Sequence, residues 1–188
     1  MAKNLLIYMD QTGQKPDLSD LTINVNTASI DELLTAINKL MDEPAPGADL
    51  PVAEKALLGF GTPAWEANIK KYYWDARWAT VRTIIHYNYP AAQENGTSIA
   101  NAFKHAMFAC YHAESFGLSL ASQLCTAHEE QPNTITSQMD NWNNSEGFKI
   151  WNTGERDFNR IDFLVIGGVR AGEMRWIKYG DNVLTPTH

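Results

Sequence analysis

The segment NAFKHAMFACYHAESFGLSLASQLCTAHEE, residues 101–130, carries His105, His112 and His128, three of the chain's five histidines, among alanines and aromatics. Asn101 stands one helical turn before His105, Glu129 follows His128 directly, and MDNWNNSEG at 139–147 adds Asp140, Asn143 and Asn144. Histidine is the side chain whose ordinary pKa lets it take up and return a proton near neutrality. In a hydrolase, His105 or His128 would serve as general base, with Asp140 or Glu129 fixing its tautomer. The asparagines would donate hydrogen bonds to an oxyanion or a substrate carbonyl. The same residues suit a second chemistry, because His105, His128, Asp140 and Glu129 make a mixed nitrogen and oxygen ligand set for zinc or another transition ion. The third use is structural. His105 would pair with Glu129 across a helix interface, Asp140, three residues after Ser137, would cap a helix, and Asn143 and Asn144 would satisfy a neighbouring helix end.

Helices must position these groups. Asn101, His105, Phe108 and His112 follow one another at i, i+4, i+7 and i+11, a narrow stripe. Ala102, Ala106, Ala109 and Ala113 form a second stripe, small enough for a neighbouring helix to come close. Thr97 or Ser98 caps this helix and Phe116-Gly117 ends it. LSLASQLCTAHEE forms the next, stopped by Gln131-Pro132. A third, over NTITSQMDNWNNSEGF, carries Asp140, Asn143, Asn144 and Gly147 on one face. Upstream, Thr62-Pro63 marks a helix start. Trp65, Ile69, Tyr72, Ala76 and Ala79 give it one apolar stripe, and Trp74, Trp78, Val81 and Ile85 a second, the pattern of a helix central to a bundle. A short helix or strand is expected around Phe163 to Val169. MRWIKYGDNVLTP then makes a hairpin with its turn at Gly180-Asp181. Residues 4–9 and 21–25 are expected strands, and SIDELLTAINKLMDE a helix with a Ser29/Glu32 capping box. EPAPGADLP, with three prolines and a glycine, reads as a linker. The expected organisation is a small N-terminal module over 1–50 and a helical domain over 51–188. The fold class is mainly α, bundle-like, with minor β at the N- and C-termini.

Composition weighs against several functions, though it leaves room for a nuclease with a small basic cleft. A formal charge of -7 without a basic run argues against nucleic-acid binding and anionic-membrane docking. No apolar run reaches the length of a membrane span. MAKNLLIYMDQTG lacks a secretory pattern. Cys110 and Cys125 have no zinc-site or redox spacing and are expected to be buried free thiols. GLSLA at 117–121 lacks the second glycine of a nucleophile elbow, and there is no phosphate loop and no HExxH. His112 is expected to be structural, and His86 and His188 carry no signal.

In NAFKHAMF, AHE and MDNWNNSEG the chain resembles an uncharacterised bacterial all-helical domain family. That family's pattern runs Asp or Asn before A-F-R-H-A-x-W, then A-H-E, then M-D-x-x-N-N-x-x-G. The likeness spans roughly residues 62 to 188, including a closing segment similar to GEMRWIKYGDNVLTPT. The family is similar to C-terminal domains of rearrangement-hotspot-type polymorphic toxins and to small exported bacterial proteins. The resemblance implies a role in bacterial conflict or at the cell envelope, and supplies no reaction. Lys104 stands where the family has Arg, which loses a planar fork for a carboxylate, and Phe108 where it has Trp, which removes an indole donor.

The expectation that follows is a toxin- or effector-like hydrolase of interbacterial competition, acting on a bacterial envelope substrate. His105, His128, Glu129 and Asp140 would be catalytic, and Asn101, Lys104, Asn143 and Asn144 would bind substrate. The alternative is a non-enzymatic binding or adaptor protein whose polar cluster is a hydrogen-bond network. No metal site and no cofactor is expected beyond a weakly held divalent ion, because thiolate pairs are lacking and the core suffices for folding. An immunity protein or secretion-machinery component is the expected partner, with no nucleic acid and no stable membrane insertion. The expected location is that of a secreted or delivered effector without a recognisable signal peptide, otherwise the cytoplasm.

Overall fold

The computed structural model describes residues 50–87, 98–129, 134–178 and 182–187. The expected N-terminal strands, the helix from Ser29, most of the linker, the stop at Gln131-Pro132, the turn at Gly180-Asp181 and His188 lie outside those residues, as does the 1–50 module apart from Leu50. The described chain runs α1 (Val52–Leu57), α2 (Trp65–Tyr87), α3 (Ile99–Phe116), α4 (Leu118–His128), α5 (Ile135–Trp151), α6 (Phe158–Arg170), β1 (Arg175–Ile177) and β2 (Leu184–Pro186). It is mainly α, with β1 and β2 as one antiparallel pair in which Trp176 faces Thr185. No helix among the described residues is long and apolar enough to cross a membrane.

The centre of the domain is α3, which packs against α2, α4, α5, α6 and β1. Its boundaries follow from local chemistry. The Ser98 hydroxyl accepts from the Asn101 N–H at the start, and Gly117 leaves the helix at φ 76, a conformation that suits a residue without Cβ. Its alanines let α5 come close. A Cβ on Gly147 would stand 2.2 Å from the Ala106 carbonyl oxygen, so the two backbones touch there. The Cys110 thiol donates to the Gly147 carbonyl at 3.2 Å from the next turn of α3. Both cysteines are buried and free.

Several expectations shift. The position central to the bundle falls to α3 rather than α2, because the stripe of Trp74, Trp78 and Ile85 is only half-buried. The buried face of α2 instead mixes Ile69, Tyr72 and Ala79 with Asp75, Arg82 and Thr83. Its first turn begins at Trp65, not Pro63, since the chain first turns through Gly59 and Gly61, both at positive φ. There the Thr62 hydroxyl donates back to the Gly59 carbonyl at 2.7 Å. α5 is capped by Thr134, which accepts from the Ser137 N–H, so Asp140 lies in the helix interior and is no cap. The segment around Phe163 to Val169 is helix, with Asp157 as N-cap.

Candidate functional site

The stripe of α3 that carries Asn101, His105, Phe108 and His112 faces polar groups from four other helices. At its N-terminal end, His105 Nε2 lies 3.2 Å from Asp140 Oδ1 on α5, and the Asn101 amide donates to the same oxygen at 3.1 Å. Glu129, just beyond α4, completes a group in which one ligand-type atom each of His105, Glu129 and Asp140 lie within 4.8 Å of one another. The expected His105–Glu129 pairing is thus displaced by His105–Asp140, with Glu129 alongside. Burial pushes the Asp140 carboxyl up to about 8, helped by the charge of Glu129. Burial likewise holds the His105 imidazole down to about 3. The contact is therefore a neutral pair sharing one proton rather than two opposite charges.

Asn144, one turn beyond Asp140 on the buried face of α5, lies against the His105 ring. Neither His105 Nδ1 nor Asn144 Oδ1 completes a hydrogen bond, although both atoms are buried. Lys104 is near enough for its charge to act on both His105 and Asp140. Asn143 has another task. Its amide donates to the Arg175 carbonyl at 2.9 Å and its oxygen accepts from the Arg175 N–H at 2.9 Å, so both ends clamp β1 to α5.

The second centre joins α1, α2 and α4. Glu54 is fully buried, and its Oε1 accepts the Tyr72 hydroxyl at 2.5 Å and contacts His128 Nδ1 at 3.1 Å. His128 closes α4 with its side chain 46% exposed. A carboxylate at Nδ1 selects the tautomer that carries its proton there and leaves the lone pair on Nε2. Among the described residues, Nε2 makes no hydrogen bond. The hydrogen bond to Glu54 raises the His128 pKa above its ordinary value despite partial burial. The C-terminal end of α4 favours the imidazolium in the same direction. His128 also bears electrostatically on His105 and Asp140, which links this centre to the first.

The third centre is sealed. His112 Nδ1 lies 2.7 Å from Asp75 Oδ2, and Ser115 donates to Asp75 Oδ1 at 2.8 Å. The His112 side chain is fully buried, its ring 3.9 Å from that of Phe108 and 4.8 Å from that of Tyr72, centroid to centroid. His112 is thus fully buried and paired, outside the three motifs. His86, which carries no sequence signal, meets Asp162 at 2.7 Å beside the buried Arg82–Asp162 ion pair.

Reasoning from sequence missed Glu54, Tyr72 and Asp75. The signals were present but faint. Asp75 interrupts an otherwise apolar stripe three residues after Tyr72, and Glu54 shares a helical face with Leu58 four residues on. An ionisable group inside such a stripe needs a buried partner.

No curated protein and no solved structure matches the chain. One family model does match, over residues 66–164, from the first turn of α2 into α6. The matched stretch holds His105, His128, Glu129, Asp140 and their asparagines, while Glu54 lies outside it. On that match, the chain belongs to the family DUF6973, a domain of unknown function.

Proposed function

We propose that the chain is a hydrolase of toxin or effector type that acts on a bacterial envelope substrate, with His128 as its proton carrier. The observation that carries the reading is the Glu54–His128 pair, in which a buried carboxylate holds Nδ1 of an imidazole whose side chain is 46% exposed. In the reaction, Nε2 takes a proton from water as the water oxygen bonds to the electrophilic substrate atom. It then returns that proton to the leaving group as the scissile bond breaks. Glu54 holds the tautomer, and the Tyr72 hydroxyl holds Glu54. Asn101, Asn144 and Lys104 surround the His105–Asp140 pair, where donors can meet developing negative charge. The bacterial setting rests on the likeness of the three motifs to polymorphic-toxin C-terminal domains.

The test is expression in bacteria with and without an export signal. Growth arrest that His128→Ala abolishes, at unchanged yield of folded protein, is the expected result. Harmless expression in both compartments favours the other reading, a non-enzymatic adaptor that binds an immunity or secretion-machinery protein. Two observations favour that second reading. Asn143 is committed to the Arg175 backbone, and Asn101 to Asp140, as in a structural network.

A further inference from the structure

We infer that His105, Glu129 and Asp140 form a binding site for one exchangeable divalent transition ion of the zinc, cobalt(II) or manganese(II) class, with Asn144 holding the histidine ligand in place. The inference rests on the same candidate site as the proposed hydrolase and adds a ligand to it.

Distance is the first argument. Two ligand atoms bound to one ion at about 2.0–2.2 Å, with a near-tetrahedral angle between them, stand roughly 3.3–3.6 Å apart, a little less where the angle narrows. His105 Nε2 and Asp140 Oδ1 are 3.2 Å apart. All three ligand-type atoms lie within 4.8 Å of one another, so a rotation of the half-buried Glu129 side chain closes the set. The three groups come from α3, the end of α4 and α5, elements fixed against each other by the domain core.

The pair of orphaned atoms is an independent second argument. A histidine that binds an ion through Nε2 carries its proton on Nδ1, and that N–H needs an acceptor to fix the ring. His105 Nδ1 and Asn144 Oδ1 are each buried without a partner, and the two side chains lie against one another. Asn144 is only 3% exposed. Its amide oxygen is therefore the natural acceptor for an Nδ1–H, and that bond aims the Nε2 lone pair at Asp140. Without a cation or a shared proton, that lone pair would meet a carboxylate oxygen head-on. A divalent ion would also relieve the repulsion between Glu129 and Asp140.

Ligand chemistry sets the class of ion. One imidazole with two carboxylates suits borderline ions over Mg²⁺ or Ca²⁺, which prefer all-oxygen shells. The absence of a thiolate argues against copper(I). His128 is not counted as a ligand, because the ligand-type atoms that come together are those of His105, Glu129 and Asp140.

The experiment uses the untagged full chain, stripped with a chelator and titrated with Co²⁺, followed by visible d–d absorption and by calorimetry. The expected result is one ion per chain, displaced by Zn²⁺ and not by Mg²⁺. Glu129→Gln, at a half-exposed position, and Asp140→Asn should each weaken binding at least about tenfold, and Asn144→Ala by about tenfold. His128→Gln should leave affinity within about threefold of the parent chain. No Co²⁺ uptake by the folded protein overturns the inference, as does stoichiometric uptake that survives both Glu129→Gln and Asp140→Asn. Uptake in a chain harmless to bacteria sinks the hydrolase and leaves the ion site standing. Growth arrest that depends on His128 without ion uptake does the reverse.

Discussion

Two carboxylate–histidine pairs flank Tyr72, and they differ in what lies on the far side of the imidazole. In the Asp75–His112 pair, Nε2 is buried against the core without a polar partner, and the ring packs on Phe108 and Tyr72. In the Glu54–His128 pair, the carboxylate is just as deeply buried, yet the imidazole is half-exposed. The electrostatics follow burial. Desolvation holds the His112 pKa down to about 3, while the bond to Glu54 wins over desolvation and lifts that of His128. The same pair of residue types thus serves as an internal brace in one place and as a candidate proton carrier in the other. Exposure of the imidazole separates the two, and pairing alone does not.

That contrast breaks most sharply at Asp75. Asp75→Ala removes the acceptor of both His112 and Ser115 from the middle of the domain. The pair is neutral near pH 7, so its loss leaves two buried groups without their partner, at about 1–3 kcal/mol each. Urea denaturation should show a loss of that size with little change in slope. A loss under about 1 kcal/mol, the range of exposed pairs, would mean that the sealed pair braces nothing.

Gly147→Ala tests the spacing that the His105–Asp140 contact needs, without touching the brace. The added methyl would overlap the Ala106 carbonyl, so α3 and α5 must part. Overpacking of this kind costs about 1–3 kcal/mol. Stability should fall by that amount, and chemical shifts of His105 should move while those of His112 stay. Equal movement at both rings would show that the two regions are mechanically one.

The brace also has a pH signature. Burial raises Asp75 to about 8 from 3.8, over the weaker lowering effects of Ser115 and Lys71, and lowers His112 to about 3 from 6.5. The folded pair keeps one proton from about pH 3 to about pH 8, whereas the unfolded chain is singly protonated only between 3.8 and 6.5. Between those two unfolded values the slopes cancel. Above about pH 6.5 the folded state binds the extra proton, so stability falls as pH rises toward about 8. Below 3.8 the unfolded state binds more, and stability falls with acid. Asp75→Asn, neutral at every pH, should lose the alkaline part of this dependence. The stability difference between parent and variant should therefore shift toward the variant between about pH 6.5 and about pH 8. A constant difference across that range would show that the pair does not hold its proton.

Much of this arrangement is legible in the sequence wherever a periodicity or a cap carries it. The α3 stripe, its Ser98 and Gly117 ends, the alanine contact and the shared face of Asp140, Asn144 and Gly147 all follow from spacing. Partner choice is not legible. Nothing local to residue 54 tells that Glu54 meets a histidine 74 residues away, because that contact depends on how α1 docks against α4. Asn143 shows the converse. Its neighbours in the MDNWNN motif suggest substrate, but β1 arrives from 32 residues downstream and occupies both ends of its amide.

The smallest stability effect is expected at His128, and it is the one that separates brace from proton carrier. Replacing His128 with Ala takes away a half-exposed ring and one of the two contacts of Glu54 Oε1, while the Tyr72 hydroxyl remains bound to that oxygen. The vacated space opens on solvent, so water can take the place of Nδ1 and the buried carboxylate keeps two partners. His112→Ala has no such remedy, since the space it leaves is enclosed and Asp75 keeps only Ser115. We expect a cost of about 1 kcal/mol or less for His128→Ala, against about 3 kcal/mol or more for His112→Ala, where an enclosed cavity adds to the lost partner. Thermal melts of the two variants side by side read the difference directly. Equal, large drops would make His128 a second brace and withdraw it as proton carrier. A near-parental melt for His128→Ala, together with loss of growth arrest, would tie the half-exposed ring to activity and leave stability to the sealed one.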